Sequence, residues 1–150
     1  VISWTTLIFA LVLYFADKQK IEKNLTNDLT IKNVLIIGFF QVLAIIPGVS
    51  RAGITITASR LLNFNRVDSS KIAFYLSIPA LSGASVLGIK DLFEENIKFD
   101  LVFIFATFLS FVFSYLTIKY FLIFVKKFSL KFFVYYRIFL ALILFYIIYF

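Results

Sequence analysis

Charged links never run far in this chain before an apolar block interrupts them, and that alternation restricts its fold more than any other feature. Five blocks stand out: Val1–Ala16, Val34–Ile46, Ile72–Ile89, Leu101–Val125 and Phe132–Phe150. A membrane-spanning helix needs about 20 predominantly apolar residues, which the last three blocks reach or approach and the first two do not. Lipid offers backbone N–H and C=O groups no partner, so the blocks are expected to be helical. A soluble fold with 62% hydrophobic residues and 21 Phe would leave wide apolar patches in water. The expected fold class is all-α: a polytopic transmembrane helical bundle forming a single integral membrane domain over residues 1–150.

The polar residues narrow the function. Fifteen Lys and Arg against eight Asp and Glu give a net charge of +7. Because these charges sit mostly between the apolar blocks, they read as membrane orientation, and no nucleic acid is expected as a partner. The chain has no Cys and no His, so it lacks a disulfide framework, a thiol nucleophile and the commonest general base and metal ligand. It contains no Met and Val1 lies inside an apolar run, which reads as a fragment of a longer chain. Ile2–Ala16 is a poor signal peptide, since no basic region precedes it and Asp17-Lys18 follows where small residues belong.

The second block stops at Pro47-Gly48, and a further short helical stretch, Ala52–Leu62, follows. Two short segments around a Pro-Gly break predict a re-entrant hairpin that enters and leaves on one face. The loop charges support it. If Val34–Leu62 re-enters, nine basic residues (Lys18, Lys20, Lys23, Lys32, Arg66, Lys71, Lys126, Lys127 and Lys131) share one side, against Lys90 and Lys98 on the other. A single crossing would divide them six to five and erase the positive-inside bias. The hairpin's base is therefore expected in the cytoplasm, with its Pro47–Thr55 tip deeper, towards the outer face.

Around the break the chain reads Pro47-Gly48-Val49-Ser50-Arg51-Ala52-Gly53-Ile54-Thr55. Pro47 and Gly48 stop the incoming helix, and Ser50 can cap a new one. The first amides of that helix lack intrahelical partners, and its dipole favours an anion. Arg51 adds a permanent charge whose planar fork matches phosphate oxygens. Thr55 lies one turn on, with Ser59 one turn beyond, and Gly48 and Gly53 allow a ligand or another backbone to approach closely. Helix N-terminus, guanidinium and hydroxyls are expected to converge as a phosphate site. The plainer reading makes Arg51 an interfacial anchor and Ser50 an ordinary cap. An arginine buried between apolar blocks costs about 2.5–3.5 kcal/mol on insertion scales, which favours a partner for Arg51. For Arg60 and Arg66 structural and functional readings are balanced. Ala80, Ala84 and Gly88 read as a helix-packing stripe, and Ser77, Ser82, Ser85, Thr107, Ser110 and Ser114 as hydroxyls bonded to backbone or neighbouring helices. Gln41 leans to structure.

This stretch resembles the second signature of the bacterial undecaprenyl-diphosphate phosphatases, or bacitracin-resistance proteins, Pro-Gly-x-Ser-Arg-Ser-x-x-Thr. Pro47, Gly48, Ser50, Arg51 and Thr55 match it, and Ala52 replaces the family's second Ser. Ile78-Pro79 and Tyr136-Arg137 also resemble family features. The resemblance implies that this is the C-terminal portion, the second half of an inverted repeat, and that a Glu-rich first signature with Ser and His lies elsewhere. It implies hydrolysis of undecaprenyl diphosphate to the monophosphate carrier lipid and inorganic phosphate, in peptidoglycan synthesis and bacitracin resistance, at the bacterial inner membrane with the active site facing outward. Ser50, Arg51 and Thr55 would be catalytic, and Pro47, Gly48, Arg51 and Gly53 would bind the substrate. A divalent cation such as Mg or Ca would find its ligands in the other half, with none in this chain. The polyprenyl diphosphate lipid and the bilayer are the implied partners, and homo-oligomer formation is left open. All eight acids lie in polar links, so the chain alone offers an anion clamp without a base and is expected to be inactive. The alternative is a transporter or flippase of an anionic lipid, which also uses broken helices with half-helix N-termini facing anions but needs access from both faces in turn.

Overall fold

A computed structural model describes residues 1–94 and 101–149, with side chains outside 91–94. The described chain is helical: α1 (Ile2–Asp17), a short α2 (Leu25–Asp28), α3 (Ile31–Val42) continued by a 3₁₀ turn (Leu43–Ile45), α4 (Arg51–Leu61), α5 (Arg66–Glu94), α6 (Leu101–Lys127) and α7 (Lys131–Tyr149). By length and composition α5 to α7 can each cross a membrane, over Arg66–Lys90, Leu101–Lys127 and Lys131–Tyr149, while α1 and α3 with its 3₁₀ turn are shorter apolar helices. The all-α bundle expected from the sequence is thus the observed architecture. Phe150 and most of the Lys90–Asp100 link fall outside the described residues.

Helix limits follow local chemistry. Thr30 caps α3 by accepting from the Asn33 amide at 3.3 Å, and Ser50 caps α4 by accepting from the Gly53 amide at 3.1 Å. Helix α5 begins well before the apolar block Ile72–Ile89, because Asn65 accepts from the Asp68 amide at 2.8 Å and opens the helix on polar residues. It also runs through Pro79. In a helix of this length the one backbone bond that proline removes is outweighed by continued bonding on either side.

Helices α3 and α4 turn back on each other, and α4 packs between α1 and α5, while α7 lies along α1 and α6 touches α5. The buried core gathers Ala10, Leu13, Ile56, Ala73, Val125, Leu130 and Val134, with a second cluster of Ile37, Ala58, Phe64 and Ile72 under the hairpin. The outer half of α5 and most of α6 are exposed apolar surface, which suits lipid.

The two ends of the hairpin fix its direction. At the tip, the Thr5 hydroxyl donates to the Pro47 carbonyl at 2.6 Å and the Thr6 hydroxyl to that of Gly48 at 3.4 Å. At the base, the far end of α1 meets α4 and α5 through Asp17, Arg60 and Arg66. Thr5 to Asp17 corresponds to about 18 Å of helix, so the tip lies that far above the base. The three polar links meet at the base. The Glu22 and Lys23 amides donate to the Asn63 carbonyl, both at 3.1 Å, the Leu25 amide to Asp68 at 3.0 Å, and the Ser129 hydroxyl to Asp17 at 2.9 Å. A segment that crossed once would carry Asn63–Lys71 away from Asp17–Asn33. Instead the two links are hydrogen-bonded, which is the hairpin geometry that the charge count favours.

Candidate functional site: the tip of the broken hairpin

Gly48 makes the tip. Its φ of 91° lies where a side chain is strained, and a Cβ there would collide with the Thr5 hydroxyl and come within 2.8 Å of the Ile2 carbonyl. The chain can therefore turn hard against the first turn of α1 and then start α4 at Ser50. Capping uses the Ser50 hydroxyl on the Gly53 amide, and the Ser50 carbonyl takes the Ile54 amide at 2.8 Å. The amides of Arg51 and Ala52 are left without intrahelical acceptors, as at any helix start, and the positive end of the helix dipole is theirs.

The motif residues take different places around the start of α4. Arg51 is partly exposed, has no side-chain hydrogen bond or ion pair among the described residues, and faces a groove of about 400 Å³ between α4, α5 and α6. Ser50 lines a cavity of about 440 Å³ between α1, the tip and α7, and shares a smaller one of about 190 Å³ with Ala52, Gly53 and Arg137. Thr55 is buried, and its hydroxyl donates to the carbonyls of Arg51 and Ala52, both at 3.0 Å. Of the two roles the sequence allows it, positioning a phosphate oxygen or the motif itself, this geometry supplies the second. Ser59 likewise bonds the Thr55 carbonyl at 2.8 Å. Thr55 and Ser59 thus spend their hydroxyls on carbonyls of the preceding turn, as hydroxyls inside helices commonly do.

A second arginine stands where the motif alone does not reach. Arg137, from α7, donates to the Gly48 carbonyl at 2.8 Å and lines the α1–α7 cavity beside Ser50. A Cβ on Gly53 would lie 2.9 Å from the Arg137 Nη1. What approaches Gly53 closely is therefore this guanidinium. The sequence signals for Arg137 are a charge early in an apolar block and the resemblance of Tyr136-Arg137 to a family feature.

The base carries the other unexpected group. Asp17, read as a link acid, is buried, with its side chain 2% exposed. It takes Arg66 through Nε at 2.7 Å and Nη2 at 3.0 Å, and the Ser129 hydroxyl. Arg60, 1% exposed, donates to the carbonyls of Phe64, Asp17 and Gln19, with its Nε 3.7 Å from the Asp17 carboxylate. The correction has a simple cause: Asp17 ends α1 just where α4 and α5 present two arginines. Ser77 and Ser85 bond carbonyls of their own helix, as expected, at 2.6 and 2.8 Å. The Gln41 Oε1 is buried without a partner among the described residues.

Among the described residues no three His, Cys, Asp or Glu side chains gather as metal ligands. Around Ser50 and Arg51 the donors are cationic or hydroxylic, which suits an anion and does not fit a divalent cation.

The broken helix pair set among long apolar helices defines a polytopic α-helical membrane protein. The chain belongs to the family of the bacitracin resistance protein BacA, which matches residues 1–143. It is 55% identical over 149 residues to the undecaprenyl-diphosphatase of Pelagibacter ubique (strain HTCC1062), covering 99% of this chain and 58% of that protein. It is 43% identical over 144 residues to that of Elusimicrobium minutum (strain Pei191), covering 96% and 54%, and 40% identical over 151 residues to that of Saccharophagus degradans (strain 2-40 / ATCC 43961 / DSM 17024), covering 100% and 57%. The chain thus spans little more than half the length of these curated relatives.

Proposed function

We propose that this chain forms part of an enzyme that hydrolyses undecaprenyl diphosphate to undecaprenyl phosphate and inorganic phosphate, recycling the cell-wall carrier lipid in the bacterial inner membrane. The observation that carries this reading is the unpaired Arg51 guanidinium beside the free amides that open α4. Its relatives' name, undecaprenyl-diphosphatase, supports it. Arg51 would bind diphosphate oxygens through its planar fork, and the Arg51 and Ala52 amides would meet charge that grows on the phosphoryl group as the anhydride breaks. Ser50 would hold those amides in place from its cap and add a hydroxyl at the same edge. Thr55 would keep the first turn of α4 shut beneath them.

No carboxylate or imidazole faces Arg51 among the described residues, so general acid–base groups and the ligands of any divalent cation such as Mg or Ca would come from outside this stretch. Transport would require a site open alternately to both faces; nothing at the tip favours it over hydrolysis. The base, with its nine basic residues, would lie in the cytoplasm and the tip would open outward.

The reaction is tested with the full-length protein purified in detergent: inorganic phosphate should be released from undecaprenyl diphosphate, and the 150-residue chain expressed alone should release none. Failure of the full-length protein to release phosphate contradicts the reading. Orientation is tested with single cysteines in intact cells. Cysteine at Asn27, Lys71 or Lys127 should be shielded from an impermeant maleimide and cysteine at Lys90 labelled; labelling at Lys71 together with Lys90 would overturn the assignment of sides.

A further inference from the structure

Arg137 reaches across from α7 to a backbone carbonyl of the tip. Its Nη2 donates to the Gly48 carbonyl at 2.8 Å, and it forms no ion pair among the described residues. The side chain is half-buried on an apolar helix, where an arginine is costly and ordinarily has a use.

That use is visible in the carbonyls around it. The Ile46 carbonyl accepts from the Val49 amide at 3.1 Å, that of Pro47 from the Thr5 hydroxyl at 2.6 Å, and that of Ser50 from the Ile54 amide at 2.8 Å. The Gly48 carbonyl takes Arg137 and, at 3.4 Å, the Thr6 hydroxyl. These four oxygens are engaged with α1, α7 or the chain itself, while the Arg51 and Ala52 amides stay without intrahelical acceptors. A carbonyl oxygen repels the anion that an N–H attracts, so their direction sets the field at the start of α4. Local geometry leaves the Gly48 carbonyl least decided of the four. Gly48 lacks a Cβ and sits at φ 91°, so the peptide it shares with Val49 is freer to turn over. Arg137 holds the carbonyl of that peptide, and Ile46 takes its amide. Gly53 leaves room for the guanidinium, since a Cβ there would stand 2.9 Å from Nη1.

We propose that Arg137 is a positioning residue for the hydrolysis: it keeps the Gly48 carbonyl turned to α7, so that the phosphoryl group meets the first amides of α4 without an opposing oxygen. Arg137 acts through that peptide and does not touch the substrate. This deepens the diphosphatase reading and rests on it for the reaction, and it brings α7 into the site. Negative charge on the phosphoryl oxygens shifts as the anhydride breaks, so misaligned dipoles cost more in the transition state than in the bound substrate.

The test uses the full-length protein in detergent and orthovanadate, an oxyanion that imitates a five-coordinate phosphoryl group. Vanadate Kd is read from the concentration dependence of the melting temperature, which needs no turnover. Phosphate release from farnesyl diphosphate gives kcat and KM. Arg137→Ala should raise the vanadate Kd and lower kcat about tenfold each, with KM changed less than about twofold. Gly53→Ala keeps the arginine but crowds it off the Gly48 carbonyl, while alanine favours the helix; it should act in the same direction by about threefold to tenfold. Arg137→Lys can still donate to Gly48 and should recover part of the loss. Because Kd does not depend on the fraction of protein folded, a merely structural role would lower the melting temperature and leave Kd alone. That result, or no vanadate binding by the unmodified protein, overturns the proposal. A raised KM with kcat intact also overturns it, because Arg137 would then be a substrate contact. Arg137-dependent vanadate binding without phosphate release would leave the positioning standing and remove the hydrolase. Phosphate release with Kd unchanged in both alanine variants would do the reverse.

Discussion

Helix α4 carries one arginine at each end, and the two could hardly be placed more differently. Arg60 is 1% exposed, donates to three carbonyls and sits beside the buried Asp17, which Arg66 and Ser129 also hold. Arg51 is partly exposed and has no side-chain partner among the described residues. One guanidinium is consumed in tying the end of α1 to the end of α4 and the turn after it, beside an Asp17 that also holds α5 and the α6–α7 turn; the other has no such tie. The base is built for rigidity, and the tip draws on that rigidity to keep an unsatisfied charge at a fixed place, which is the condition for using it on a ligand.

The comparison can be broken from the base upward. Asp17→Ala should cost the most stability, about 3–5 kcal/mol, because it strands Arg60 as a buried charge; a melting temperature near that of the unmodified protein would show the base to be dispensable. Gly48→Ala comes next, at about 1–3 kcal/mol, since an L side chain is strained at this φ and meets the backbone of α1. Ser50→Ala should cost about 1 kcal/mol by removing the cap, read as a modest fall in melting temperature. A near-total loss of turnover with the fold intact would give Ser50 more than a capping role. Ala52→Ser should change neither melting nor turnover, because Ala52 is exposed on the first turn and the new hydroxyl displaces nothing.

The hairpin was legible in the sequence because two independent signals agreed, the Pro47-Gly48 break and the distribution of Lys and Arg. The Ser50 cap followed from residue type and position alone. What the sequence could not show was direction around the helix at the tip: Ser50 and Arg51 are neighbours in the chain yet line different cavities, because α4 starts between them. Asp17 looked like a solvated link acid since its partners, Arg60 and Arg66, are distant in the chain and only the fold brings them together. Arg137 was legible beside Tyr136, but its place against Gly48 and Gly53, distant in the chain, needed the fold.

The most direct measurement of the account is Arg51→Ala in the full-length protein, with phosphate release from undecaprenyl diphosphate and a thermal melt recorded on the same preparation. A charge-assisted hydrogen bond is worth about 1.5–3 kcal/mol, so turnover should fall on the order of tenfold to a hundredfold or more. The melt should be unchanged, because the side chain holds nothing in the fold. Arg51→Lys should also be poor, since it keeps the charge and loses the fork. Full turnover in a folded Arg51→Ala protein, or a loss of activity explained entirely by a lowered melting temperature, would contradict the claim that Arg51 is held free for the substrate.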